Sequence, residues 1–168
     1  ALEGNTSGIE NTGVGLQAGR NNRTGSYNVA VGSNALFGVG GLSSSNNTAV
    51  GAIALNVARG SNNIALGYRA ADNLTTGTNN IIIGYDIDAQ SPTSANTLSI
   101  GNLIFGTGID GAGTAVSSGN IGIGDASPDF RLDVEQTTDG VVATFTDNDN
   151  NCTIDPDIVG GISCTSDA

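Results

Sequence analysis

The chain has 168 residues but no histidine, methionine or tryptophan, and its five basic residues are all arginine. No imidazole base, Schiff-base lysine or histidine-ligated metal is therefore available. Basic charge is scarce: five arginines face sixteen acids, for a net charge of −11. Such a balance repels phosphate backbones, so nucleic acid is not an expected partner. No apolar run approaches the roughly 20 residues that a membrane helix needs, and no membrane insertion is expected. Aromatic residues make up 4% and charged residues 12%. A chain so poor in large side chains cannot fill a broad core. Its Ala, Val, Ile and Leu come in short bursts that suit a thin core repeated many times. The two cysteines, Cys152 and Cys164, stand in a lysine-free, Asn/Ser/Thr-rich chain, which fits an oxidising, extracellular setting; a pair of buried reduced thiols is the alternative. The chain starts at Ala1 without a charged-then-apolar leader and reads as a piece of something longer or processed.

What the chain does have is a repeated phrase: Asn, three mostly apolar residues, Gly. It occurs at Asn11–Gly15, Asn28–Gly32, Asn47–Gly51, Asn63–Gly67 and Asn80–Gly84, with closing glycines 17, 19, 16 and 17 residues apart. A stretched copy, Asn96–Gly101, and a late one, Asn120–Gly124, follow. A period of this size predicts stacked coils rather than a domain with a cleft. After each glycine comes a second apolar half-phrase, such as Ala35-Leu36 or Ala54-Leu55, and then a polar link rich in Asn, Gly and Ser. This pattern predicts two short strands per coil, divided by glycine and by a turn. Stacked at about 4.8 Å per layer, seven coils would build a body of roughly 30 Å. The expected fold is all-β, a parallel β-roll solenoid. A coil this thin is not expected to be dry inside by itself, so three chains are expected to share one core as a homotrimer. Residues 1–90 are assigned to the repeat domain, 91–125 to a Gly-rich transition with degenerate repeats, and 126–168 to a β-stalk module carrying the cysteine pair.

These residues resemble known families. The Asn-x-Ala-[Val/Leu]-Gly…Ala-Leu phrase is similar to the head repeat of trimeric autotransporter adhesins, and to repeat regions of phage tail fibres and related bacterial fibre proteins. Gly119-Asn-Ile-Gly-Ile-Gly-Asp-Ala-Ser-Pro128 followed by Arg131-Leu-Asp-Val134 resembles a segment found in tail-fibre-like proteins. Ser163-Cys-Thr-Ser-Asp-Ala168 resembles the junction at which such proteins enter an intramolecular chaperone of the peptidase S74 type. The resemblance implies a trimeric left-handed parallel β-roll, and it implies Ser166-Asp167 as the self-cleavage junction.

Other patterns have plainer readings. Gly106-Thr-Gly108-Ile-Asp-Gly111 matches a dinucleotide fingerprint, but no helical period follows it, and a glycine turn is the better account. Asp147, Asp149, Asn151 and Asp155 alternate oxygen ligands as calcium loops do; Cys152 stands where such a loop needs Gly, so a solvated acidic turn is preferred and calcium is at most a weak ligand. Asp86 and Asp88 would share a face of a strand, a placement that could serve acid–base work, though surface solubility explains them better. Cys152 and Cys164 could lie opposite each other across a hairpin, which favours an intrachain disulfide over an interchain one. The sequons at Asn5, Asn22, Asn46, Asn73 and Asn151 are expected by chance in such a chain.

The expected function is that of an extracellular, trimeric, structural and adhesive fibre segment, of a phage tail fibre or a bacterial surface fibre. Its partners would be itself and a cell-surface glycan or protein receptor. Receptor contacts are assigned to Phe37, Tyr68 and Tyr85, at coil corners and in the loop Phe37 to Ser45. No catalytic role and no cofactor is expected. The alternative is a secreted monomeric solenoid that binds a regular lattice such as ice or polysaccharide; Thr12 and Thr48 occupy equivalent sites for it, but Val29, Ile64 and Ile81 interrupt the row.

Overall fold

A computed structural model describes residues 1–38 and 43–135 and, beyond them, the backbone of three further strands. The chain is all-β and divides into two compact units, Ala1–Asp133 and Val134–Ala168. The strands β1 (Thr12–Val14), β2 (Val29–Val31), β3 (Thr48–Val50), β4 (Ile64–Leu66), β5 (Ile81–Ile83), β6 (Leu98–Ile100), β7 (Ile104–Gly106), β8 (Ile121–Ile123) and β9 (Leu132–Val134), the last of which begins in the first unit and ends at its boundary, lie in chain order in one sheet. β1 to β6 pair in parallel with every position in register, Thr12 on Val29 and so on to Ile83 on Ile100. Five successive parallel pairings, each one coil after the last, make a β-solenoid of about five turns.

Each coil holds one three-residue strand, not two. The second half-phrase is a run of turns, because two of its positions lie in the left-handed region that an extended strand cannot use. Gln17, Asn34, Ile53, Arg69 and Asp86 have φ of 54–66°, and Leu36, Leu55 and Ala71 have φ of 46–55°. The glycine closing each strand is required by geometry. Gly51 has φ +135°, and a Cβ there would stand 2.1 Å from the carbonyl oxygen of Gly67 in the next coil. The parallel stack ends where this geometry changes: Gly101 has φ +59°, Asn102 follows at +53°, and the chain turns back into β7. β7 and β8 then pair antiparallel.

The expectation that a coil cannot be dry by itself is corrected. The central residue of each strand points inward and stacks on its neighbours: Ala30, Ala49, Ala65 and Ile82 are at most 1% exposed. Facing them, the turn half-phrase contributes Ala18, Ala35, Ala54 and Ala70, all fully buried, with Leu36, Leu55, Ala71 and Leu74 filling the remaining width. Alanine succeeds here because opposing backbones come close enough for a methyl group to fill the gap. One chain therefore closes its own thin core.

Ser99 takes the inward place in β6, and its buried hydroxyl finds no partner among the described residues. An unpaired buried hydroxyl costs about 1–3 kcal/mol. Ser99→Ala restores the residue used by β2, β3 and β4. It is expected to stabilise the solenoid by about 1 kcal/mol, read as a raised denaturation midpoint.

In the second unit β10 (Ala143–Thr146), β11 (Asn151–Ile154) and β12 (Ser163–Thr165) form an antiparallel sheet in that order. Phe145 pairs with Cys152, and Cys152 with Cys164.

Candidate interaction surfaces

Because a strand alternates sides, the residues flanking each inward position point away from the core. Parallel register gathers them into two rows, Thr12-Val29-Thr48-Ile64-Ile81-Leu98 and Val14-Val31-Val50-Leu66-Ile83-Ile100. Ten of these twelve positions are aliphatic. Val14 is 57% exposed and Val50 and Ile64 are each 38% exposed, while most others are half-covered by neighbouring coils. No charged residue or proline interrupts the two rows, although these are the usual devices that keep a sheet surface unattractive to other chains.

Two asparagine ladders border the rows, and the repeated phrase did not reveal both. The inner ladder, Asn11, Asn28, Asn47, Asn63 and Asn80, precedes each strand. Asn47 is typical. Its N–H donates to Asn28 Oδ1 (3.0 Å), its Nδ2 donates to Asn28 Oδ1 (3.2 Å) and to the Gly60 carbonyl (3.1 Å), and its Oδ1 accepts the Asn63 N–H (2.9 Å). Asn28, Asn47, Asn63 and Asn80 are at most 2% exposed. The ladder ends at Thr97, whose N–H and hydroxyl both donate to Asn80 Oδ1. Thr97, not Asn96, is thus the ladder residue of the stretched repeat. The outer ladder uses the preceding residue: Asn46, Asn62, Asn79 and Asn96, with φ of 58, 62, 59 and 57°. Asparagine tolerates this conformation better than most residues. The visible signal was the doublet Asn-Asn at 46–47, 62–63 and 79–80.

The opposite border carries the tyrosines assigned to receptor contact. Tyr68 and Tyr85 follow their coil glycines and stack, with ring centroids 5.4 Å apart and planes 23° from parallel. Tyr85 is 75% exposed and Tyr68 42%. Phe37 is half-buried in the turn half of its coil and is not part of that stack. The loop assigned with it includes residues 39–42, which lie outside the described residues.

Asp86 and Asp88 do not share a strand face. β5 ends at Ile83, and Asp86 occupies a left-handed turn position with φ 54°. Asp86 meets Arg69 instead, whose Nε meets Asp72 Oδ2 at 2.7 Å and whose Nη1 meets Asp86 Oδ1 at 3.3 Å. These contacts raise the Arg69 guanidinium further, chiefly through Asp72. The Asp88 carboxyl is pushed up, first by partial loss of hydration, then by hydrogen bonding and repulsion from Asp72, with Asp86 adding to it. Asp88 remains exposed, so solvent screens the effect. The sign is nonetheless definite. The folded chain keeps this proton at pH values where the unfolded chain has lost it. The associated stability is complete below the ordinary aspartate value of about 3.9 and is lost as pH rises through the shifted one. Asp88→Asn is therefore expected to raise the melting temperature at pH 7, with the gain shrinking as pH falls toward 4. Melts of both proteins at the two pH values check it.

Among the described residues no group of three acidic, cysteine or histidine side chains is placed to hold a metal ion. The calcium candidates Asp147, Asp149 and Asp155 lie outside the described residues, and Asn151 opens β11. The junction Ser166-Asp167 also lies outside them. The segment matching the dinucleotide fingerprint starts at the end of β7 and runs through loop and turn, with Gly108 at φ +55°; no helix receives it. No helix of the described residues is long and apolar enough to cross a membrane. Comparisons of the chain with protein-family models, curated proteins and solved structures gave no match.

Proposed function

We propose that this chain is a structural and adhesive segment of an extracellular homotrimeric fibre, in which the outward faces of β1–β6 from three chains meet along a common axis. The observation that carries the reading is the aliphatic double row on those strands. An apolar surface of this continuity marks an interface rather than a free surface. The number three comes from the resemblance of the repeat to trimeric fibre proteins. Three identical chains would present every outer corner in triplicate, so weak contacts to a cell-surface receptor gain through effective concentration. Light scattering on the purified chain tests it: a three-chain mass is expected, and a one-chain mass would favour the lattice-binding solenoid, for which the self-contained alanine core is the favourable observation.

The same reading includes an intrachain disulfide. Cys152 and Cys164 are direct partners in an antiparallel pair, where Cα separations are about 4.5 or 5.5 Å, within the range a disulfide spans. The oxidised chain is expected to run as one chain on non-reducing SDS gels and to release two thiols only after reduction. A covalent dimer or trimer on that gel would place the bridge between chains.

A further inference from the structure

The outer asparagine ladder has a direction. Asn46 Nδ2 donates to Asn62 Oδ1 (3.0 Å), Asn62 Nδ2 to Asn79 Oδ1 (3.1 Å), and Asn79 Nδ2 to Asn96 Oδ1 (3.0 Å). Asn96 is the last member, and no group among the described residues accepts from its Nδ2. Hydrogen bonds in a chain polarise one another, so the terminal N–H is the strongest donor of the row.

Asn96 is not alone at this end of the ladder. The loop after β7 returns beside it, pinned by the Ile109 N–H to the Asn96 carbonyl at 3.0 Å. Between ladder and loop is a cavity of about 360 Å³, lined by Asn79, Asn96, Ile109, Asp110, Gly111 and Ala112. Asp110 is held in place by Ser118, whose N–H and hydroxyl donate to its two oxygens at 2.7 and 2.6 Å. These bonds keep its carboxyl below the ordinary range, so it is an ionised acceptor at neutral pH. The residues around it thus include an amide, on Asn96, and a carboxylate, on Asp110, beside Ile109 and Ala112.

We infer that this cavity binds a neutral pyranose at the end of a glycan. One hydroxyl of a vicinal pair donates to Asp110 while its neighbour accepts from Asn96 Nδ2, and the C–H face of the ring rests on Ile109 and Ala112. The volume lies at the small end of ligand pockets, which suits a ring or two. The fixed carboxylate and the net charge of −11 act against anionic sugars. The inference deepens the adhesive reading by naming a ligand class and a site, but the cavity belongs to a single chain and needs no trimer.

Saturation-transfer NMR on the full chain, with methyl glucoside, galactoside and mannoside as probes and glucuronate as the anionic comparison, tests it. At least one neutral glycoside is expected to give saturable transfer. Asn96→Gly keeps the left-handed backbone and the Asn96 carbonyl but removes the amide; it is expected to weaken binding about tenfold or more, the worth of one lost hydrogen bond to a polar ligand. Ala112→Phe fills the cavity without touching a hydrogen bond and is expected to abolish binding, whereas Asn46→Gly at the far end of the ladder leaves it within about twofold. No saturable transfer from any neutral glycoside, equal or better binding of glucuronate, or undiminished binding in Ala112→Phe each overturns the inference. Light scattering on the same samples reports the trimer separately, so the two readings fail independently.

Discussion

Asn47→Leu is expected to cost the solenoid about 2–6 kcal/mol: leucine matches asparagine in branching and heavy-atom count but offers no polar atom, and the site is fully buried. The substitution deletes an acceptor and two donated hydrogen bonds at once. The Asn63 N–H loses Asn47 Oδ1, and the Gly60 carbonyl loses Asn47 Nδ2. Both residues are buried, and each orphaned group costs about 1–3 kcal/mol. Asn28 Oδ1 suffers less, because it still accepts the backbone N–H of residue 47. Against a typical domain stability of about 5–15 kcal/mol, this is a large share. Asn46→Gly is the matched comparison: it removes an exposed amide from the outer ladder, preserves φ near 58°, and is expected to cost less than about 1 kcal/mol. Denaturant titrations of the two variants at one protein concentration check the contrast. Equal costs would mean that the inner ladder is ornamental and that the alanine rows alone hold the coils.

The contrast also explains what could be read from the residues. The period, the all-β class and the stacking were legible because Asn-x-Ala-Val-Gly places a polar residue, an outward residue, an inward alanine, a second outward residue and a glycine at spacings only a strand and a tight corner satisfy. The single strand per coil was not legible. Ala35-Leu36 and Ala54-Leu55 look extended by composition, and nothing local says that Leu36 and Leu55 adopt φ of 46 and 49°. That conformation is imposed by stacking, since Leu36 donates its N–H to Ala54 and Leu55 to Ala70 of the next coil. The self-sufficiency of the core was missed for a related reason: alanine looks too small to exclude water until opposed backbones are known to approach closely. The tyrosine stack was within reach of the repeat, since Tyr68 and Tyr85 each follow a coil glycine; the cavity beside Asn96 was not legible, because the loop that returns to it lies outside the repeat. Asp86 and Asp88 were misplaced because a strand was carried past the glycine that ends it.

The outward rows invite the sharper test of assembly. Leu66 lies in the middle of the face, between Val50 and Ile83 of the neighbouring coils. Leu66→Glu puts a carboxylate there without disturbing the inward Ala65 or either asparagine ladder. In a lone chain the new side chain remains partly in water, so the fold should be nearly as stable as before. In a three-chain assembly, symmetry brings three carboxylates toward one axis, each losing hydration at an effective cost of several kcal/mol and each repelling the other two. Against an interface built from contributions of about 1.5–3 kcal/mol per buried aliphatic side chain, that is enough to dissociate it at micromolar concentration. The expected result is a fall from three-chain to one-chain mass with an unchanged far-ultraviolet circular dichroism spectrum. Acidification should reverse it: neutral glutamic acids cost less to bury and do not repel, so the three-chain mass should return as pH falls below about 4.3, the ordinary glutamate value. A variant that stays trimeric at neutral pH would show that these rows face something other than their own copies, and a variant that unfolds would show that the double row belongs to the core of the single chain.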